Sequence, residues 1–308
     1  MELKHNYDIL IPGKYFCDII FTGLPGFPKL GTEIYSKQVN IVPGGGALIS
    51  VIALRRLGVN VGWISRFGTD FFSQYIQHFL ETERVDMSLV VQLPEPMQRV
   101  TVSLSYPEDR AFVTYVDPSP SNVDLALEAL EKANFRHLHF TSLVVDDRVP
   151  GLLDVCHARG ITVSMDCQHR DDTVSMPLVR EILSRVDIFM PNAIEALRIT
   201  QTDTIDDAVT VLKALVPLTV VKRGDKGALA ARGDVLCHSP ALPSTVVDTT
   251  GAGDVFNAGF VAAFVRGKEL TECLQWGNFC GGMSVRGLGG LSTAPNAEQL
   301  EAWLLEQQ

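Results

Sequence analysis

The sequence predicts an α/β fold: a three-layer, doubly wound, mainly parallel sheet with a small antiparallel β lid. Three observations lead there. From residue 123 onward, helical and strand-like apolar segments alternate steadily, the rhythm of a parallel sheet covered by helices on both faces. Before that point, extended segments and a hairpin signal form a group that does not alternate with helices. Two glycine-rich turns, at 44–46 and 251–253, open directly into apolar helices.

In chain order, 7–12 is a short apolar strand and 14–21 a second extended piece, in which Asp18 is an acid flanked by apolar residues. By pattern alone Asp18 reads equally well as the exposed face of a half-buried strand or as a functional carboxylate. The mixed β-branched and polar stretch 33–42 reads as another strand. Three glycines after Pro43 precede a helix through Leu57 that Gly58 stops. A strand at 59–65 and a helix at 71–82, capped by Thr69 or Asp70, follow. Alternation in 98–104 and 111–116 around Pro107-Glu108-Asp109-Arg110 signals a hairpin. With the early strands it forms the lid, inserted at about 14–42 and 97–117 of a single 1–308 domain.

Then come helix 123–133, strand 137–141, helix 148–159, strand 161–165, helix 177–185, strand 187–190, helices 192–200 and 205–215, and strand 218–222. Helices 252–266, 270–286 and 296–306 complete the chain. Ligands of such sheets sit outside the carboxyl ends of the strands. Those ends deliver Asp166 to Arg170, Asn192 with Glu195, and Lys222 to Gly227. Asn192 and Glu195 share one side of a first helical turn, equally an N-cap with its capping-box Glu.

The 308 residues are 46% hydrophobic and 20% charged, with a formal net charge of −10 and no run of Lys or Arg. That balance argues against nucleic acid and membrane as partners. The first residues lack the apolar core of a signal peptide and no run is long enough to span a bilayer, so a soluble, cytoplasmic protein is expected. Six cysteines without C-x-x-C spacing read as reduced, mostly buried thiols. His137 and His139 fall on one face of a strand and read as structural rather than as zinc ligands. There is no G-x-x-x-x-G-K-[ST] loop and no early G-x-G-x-x-G, which speaks against a P-loop NTPase or a dinucleotide oxidoreductase.

The richest stretch is 246–259, an extended end, a glycine turn and the start of an apolar helix, with Asp254 at the junction. The first N–H groups of a helix lack intrahelical acceptors and carry the positive end of its dipole, so such a turn favours an anion. Glycines at 251 and 253 let a phosphate approach the backbone. A carboxylate beside bound phosphate repels it, unless a metal or a proton transfer requires the acid.

Asp248-Thr249-Thr250-Gly251-Ala252-Gly253-Asp254-Val255-Phe256-x-x-Gly259 closely resembles the second signature of the ribokinase-like (PfkB) carbohydrate kinases. The resemblance extends along nearly the whole chain, through Asp18, the Gly44-Gly45-Gly46 turn with its helix, Asp166-x-x-x-Arg170 and Asn192-x-x-Glu195. It implies an eight- or nine-stranded α/β core with a β lid, and an ATP- and Mg²⁺-dependent kinase acting on a hydroxymethyl group of a sugar or related polyol. Asp254 would be the general base, and the N–H groups of Gly251, Ala252 and Gly253 the anion hole for the transferring phosphoryl group. Asp18, Gly45, Gly46 and Ser50, with Asp254, would contact the acceptor. Asn192, Lys222, Gly224, Gly227, Gly251, Gly253 and Asn278 would contact the nucleotide, with Asn192 and Glu195 holding Mg²⁺ through its waters. Asp248, Thr250, Gly289 and Thr293 match the region where many members bind a monovalent cation, K⁺.

The departures fall on the acceptor side: Ile49 stands where many members have a sugar-binding Asn, and Thr141 or Ser142 where ribokinases have an acid. Ribose is therefore not the expected substrate, leaving another sugar, a sugar acid, a sugar phosphate or a nucleoside. The altered acceptor side also admits a ligand-binding or regulatory protein on a kinase fold. Apolar residues in the lid strands imply a homodimer through the lid.

Overall fold

The computed structural model describes residues 5–106, 110–168 and 171–307. Its first strand, β1 (His5–Pro12), lies inside the main sheet with Ile9 and Ile11 packed into one apolar layer and Leu10 into the other. This alternation makes β1 a strand buried on both faces. The chain then leaves the sheet through β2 (Phe16–Thr22) and β3 (Gln38–Gly44) and returns by α1 (Gly46–Arg56) to β4 (Val61–Phe67), parallel to β1. Helix α2 (Phe71–Thr82) and short β5 (Val90–Gln92), parallel to β4, lead to β6 (Arg99–Ser105) and β7 (Arg110–Val116). Helix α3 (Asn122–Lys132) crosses back to β8 (Ala133–Phe140), on the other side of β1 from β4.

The second half adds α4 (Val149–Ala158), β9 (Thr162–Asp166), α5 (Pro177–Leu183), β10 (Ile188–Met190), α6 (Ala193–Thr200), α7 (Ile205–Lys213) and β11 (Leu218–Lys222). Parallel pairing continues from β8 through β11. An antiparallel hairpin, β12 (Ala228–Arg232) and β13 (Val235–Ser239), closes that edge, and α8 (Ala252–Val265), α9 (Leu270–Ser284) and α10 (Ala297–Glu306) follow. Among the described residues the main sheet runs β13-β12-β11-β10-β9-β8-β1-β4-β5. One apolar layer gathers α1 with α8 and α9, and the other gathers α3 to α7.

The order reverses at β1. The chain moves from β1 outward to β4, then back to β8 and away on the opposite side. The crevice outside the carboxyl ends of β1 and β8 is thus the topological switch point, where open α/β sheets bind ligands.

The second sheet has the order β3-β2-β6-β7. Its outer pairs, β2–β3 and β6–β7, are antiparallel, while the central β2–β6 pair is parallel. It holds the residues expected for the lid, with two differences at its margins. The strand expected at 33–42 begins at Gln38, because Gly23, Pro25, Gly26, Pro28 and Gly31 keep the preceding loop in turns and bends. The Pro107-Glu108-Asp109 turn lies outside the described residues.

The hairpin β12–β13 was not expected, since Ala228-Leu229-Ala230-Ala231 has low strand propensity. Pairing of β12 with β11 overrides that preference, and Gly233, at φ 56°, supplies the turn. His137 and His139 fill the sheet interior as neutral rings. The His137 nitrogens lie 2.7 Å from the Thr162 and Ser164 hydroxyls, and His139 Nδ1 lies 2.7 Å from Ser164 Oγ. Burial drives their pKa values down to about 3 and about 4.

Candidate active site

Two helices point their N-termini at the switch-point crevice. Helix α8 has Gly251 as its N-cap, at φ 70°, and α1 has Gly45, at φ 90°; neither end is capped by a side chain. By contrast, α3, α6 and α10 carry complete capping boxes. Uncapped first turns keep N–H groups available to a ligand. The Ala252 N–H is partly committed, donating to Thr249 O at 3.3 Å.

The glycines fit because their neighbours press close. A Cβ on Gly251 would lie 2.8 Å from Ile49 Cδ1 and 2.9 Å from Gly290 Cα. One on Gly46 would lie 2.7 Å from Asp254 Oδ1, so the two helix starts meet at the Asp254 carboxylate. Burial raises the Asp254 pKa to about 7; the charges of Asp166 and Glu195 raise it too, and Lys222 opposes them. A carboxylate at that value suits proton abstraction near neutral pH.

Lys222, at the end of β11, lies 3.5 Å from where a Gly253 Cβ would be. Its ammonium donates to both Asp166 oxygens, at 2.8 and 2.9 Å, and to Asn257 Oδ1 at 3.2 Å. Asn257 Nδ2 in turn donates to Asp166 Oδ2 at 2.7 Å. Asp166 and Lys222 were singled out in the sequence, but Asn257, one turn beyond Asp254, was missed. Its only sequence signal is an amide within an otherwise apolar helix. Arg170 lies outside the described residues.

Asn192 and Glu195 form the capping box of α6. Asn192 Oδ1 accepts from Glu195 N at 2.9 Å and Glu195 Oε2 accepts from Asn192 N at 2.8 Å. The Glu195 charge reaches Asp254, so the capping carboxylate faces the same crevice. A carboxylate and an amide oxygen are hard donors that fit Mg²⁺ held through water.

Past β11, Gly224 (φ 59°) and Gly227 (φ 75°) shape a 3₁₀ turn. A Cβ on Gly227 would lie 2.1 Å from Ser239 O, to which buried Asn278 Nδ2 also donates at 3.0 Å. These two residues therefore hold the end of β13.

Asp18 is not an exposed strand carboxylate. It packs over Gly44, where a Cβ would meet its Oδ2 at 2.0 Å. Burial, with the Asp248 charge added, pushes its pKa up to about 6 against a hydrogen bond with Thr101.

Three positions near the glycine turn are engaged within the protein. Ile49 is buried beneath the Gly251–Gly290 contact and so packs the anion turn instead of meeting a ligand. Ser50, expected at the acceptor, has 0% exposure and an unbonded hydroxyl among the described residues. Of the residues matched to a monovalent cation, Asp248 is surrounded by protein donors. Its Oδ1 accepts from Arg110 at 2.8 Å, Thr250 N at 2.9 Å and Thr250 Oγ1 at 2.8 Å, while Gly289 N donates to Oδ2 at 2.9 Å. The Thr293 hydroxyl is bound to Ser284 O at 3.0 Å. Arg110 also reaches the hydroxyls of Thr249 and Thr250, so a lid strand supplies the cation of this turn.

Beside Asp254 a cavity of about 360 Å³ opens, lined by Gly13 and Lys14 after β1, Gly46, Thr141 and Ser142 after β8, and Gln168 after β9. This is the crevice predicted by the strand order.

Residues 24–297 match the pfkB family of carbohydrate kinases. A cytidine kinase of Thermococcus kodakarensis is 31% identical over 82% of this chain and 91% of its own. The fold is shared with Arabidopsis thaliana ribokinase complexed with ribose and ATP, at TM-score 0.82 and 24% identity over 97% of this chain and 99% of that one. It is also shared with an E. coli putative ribokinase II in complex with ATP and Mg²⁺, at TM-score 0.77 and 23% identity over 97% and 99%. The chain belongs to the pfkB family of carbohydrate kinases, enzymes that transfer phosphate from ATP to a small metabolite.

Proposed function

We propose that this kinase phosphorylates a hydroxymethyl group of a small polyhydroxylated acceptor bound in the cavity beside Asp254. The observation that carries the reading is the half-buried Asp254 carboxylate, its pKa raised to about 7 chiefly by desolvation, between two uncapped glycine-led helix starts. The acceptor hydroxyl gives its proton to Asp254 as its oxygen attacks the γ-phosphorus, and ADP leaves. The N–H groups of Gly251 and Gly253 stabilise the developing charge, with Ala252 contributing once released from Thr249. Phosphoryl transfer asks chiefly for such positioning and charge stabilisation. Asp18 orients the acceptor from the lid, with Gly45 and Gly46 at its floor.

On the nucleotide side, Lys222 and the turn at Gly224 and Gly227 face the phosphates, and Asn278 supports the wall at the base. When bound, Mg²⁺ would offset phosphate charge near Asn192 and Glu195. Six free cysteines suit a reducing cytoplasm. Exposed Val39, Ile41, Phe112 and Val113 on the lid suit pairing with a second lid in a homodimer, which solution mass tests.

A nucleoside acceptor is the second reading, favoured by the 31% identity to a cytidine kinase. Product mass after incubation with ATP, Mg²⁺ and a panel of sugars, sugar acids, sugar phosphates and nucleosides tests both. ATP-dependent phosphorylation of one class is expected; absence of any product refutes the acceptor reading.

A further inference from the structure

Lys14 is the first side chain after the turn that ends β1, and it lines the cavity beside Asp254. It is half-buried, yet among the described residues its ammonium has neither an ion-pair partner nor a hydrogen-bond acceptor. Behind it stands a second cation, Arg99, 1% exposed and held 4.9 Å over the Tyr15 ring. Arg99 also makes no ion pair among the described residues, and its Nε is unbonded there. Burial and the Arg99 charge both lower the Lys14 pKa, as expected for a cation lacking compensation.

Among the described residues that line this cavity the acid is Asp146, and it does not neutralise Lys14. Asp146 is bound to Arg148, with Nε at 2.9 Å and a terminal nitrogen at 2.8 Å. The remaining polar lining among the described residues is uncharged, from Ser121, Asn122, Thr141, Ser142 and Gln168. Gln168 sits in the left-handed region at φ 57°, a conformation that non-glycine residues hold at some strain and that clusters at ligand sites. An unpaired cation in a polar cavity at the switch point is a partner awaiting an anion.

We propose that the acceptor carries an anionic group, a carboxylate or a phosphate, which Lys14 binds at the end of the cavity away from the transferred phosphoryl group. Lys14 is then the specificity-determining residue, and hydroxyl groups along the acceptor meet Thr141, Ser142 and Gln168. The inference rests on the acceptor reading above and adds the charge of the acceptor.

The test uses matched acceptors with a free hydroxymethyl group: glucose against gluconate, fructose against fructose 6-phosphate, and cytidine as a further neutral compound. Turnover is read as ADP release with product mass, and binding as thermal shift without ATP, for the wild type, Lys14→Met and Lys14→Arg. One anionic acceptor should exceed its neutral partner in kcat/KM. Lys14→Met should reduce that ratio about 10- to 100-fold, mainly through KM, and Lys14→Arg should restore much of it. Gluconate preference would identify a carboxylate, fructose 6-phosphate preference a phosphate.

Equal or better use of neutral acceptors by the wild type, or an equal effect of Lys14→Met on both, would overturn the proposal while leaving the kinase reading intact. If nothing is turned over, the acceptor reading fails and the thermal shift decides the charge. A Lys14-dependent shift with either anion supports the proposal, and its absence refutes it.

Discussion

The two halves of the crevice meet at Gly46 but are built by opposite means. The phosphoryl half is a continuous segment, 248–257, in which backbone N–H groups, glycines and one acid follow one another along the chain. The acceptor half is assembled from side chains after β1, β8 and β9, brought together by the strand order. The difference teaches where specificity resides. On the proposed reading the 248–257 half uses groups that bind any transferred phosphate, whereas the cavity half can be rewritten one side chain at a time. On the proposal above, one half-buried cation, Lys14, changes which molecule fits.

The strongest way to break this comparison is Asp254→Asn. Turnover should fall by roughly 10²- to 10⁴-fold, the contribution of a positioned base, while ATP still protects against thermal unfolding. The same variant has a second signature. Because folding raises the Asp254 pKa from 3.8 to about 7, folding favours its protonated form, and that stability is lost as pH rises through this window. The variant should melt higher than wild type at pH 8, with the gap closing toward pH 4. A wild-type-like rate would remove Asp254 from its role.

Lys222→Met comes next. It leaves Asp166 buried beside Asn257 without its cation, a loss of about 3–5 kcal/mol in denaturant unfolding for a broken buried pair. A loss much below that range would mean Asp166 gains protons or solvent instead. Asp166→Asn combined with Lys222→Met should recover part of the stability.

Arg110→Met should have a smaller effect. The guanidinium is partly exposed, so removing its tie to Asp248 should cost about 1 kcal/mol or less. The expected result is a several-fold rise in KM with little change in melting temperature. An unchanged KM would separate the lid contact from ligand capture.

The smallest effect is on pH dependence. The wild-type rate should rise with pH through about 7 as Asp254 loses its proton. Glu195→Gln, which removes a negative charge acting on Asp254, should move that limb to lower pH by a fraction of a unit. The position of the limb is the readout, whatever the height of the plateau.

Ile49 and Lys14 mark the limit of what local sequence reveals. Ile49 is conspicuous in the sequence because it replaces a polar residue of the family pattern, yet in the fold it supports the Gly251 turn from below. Lys14 is inconspicuous, one lysine in an extended stretch, and becomes telling only when, among the described residues, the acids after β8 and at the end of β9 pair with Arg148 and Lys222 instead. The β12–β13 hairpin escaped for a related reason, since alanines become a strand when β11 offers a partner. Arg110 was read as part of a turn because nothing local links it to Asp248, 138 residues away.

The layered α/β architecture, the second small sheet and the glycine turn that opens α8 at Asp254 were legible from sequence, because each depends on periodicity or on consecutive residues. Tertiary structure alone decided the pKa of Asp254, the Lys222–Asp166–Asn257 cluster, the Arg110 tie and the isolation of Lys14. The physical reason is range. Helix ends and strand alternation arise from neighbours in the chain, whereas burial, charge coupling and the absence of a counter-ion depend on which strand ends the sheet order places side by side.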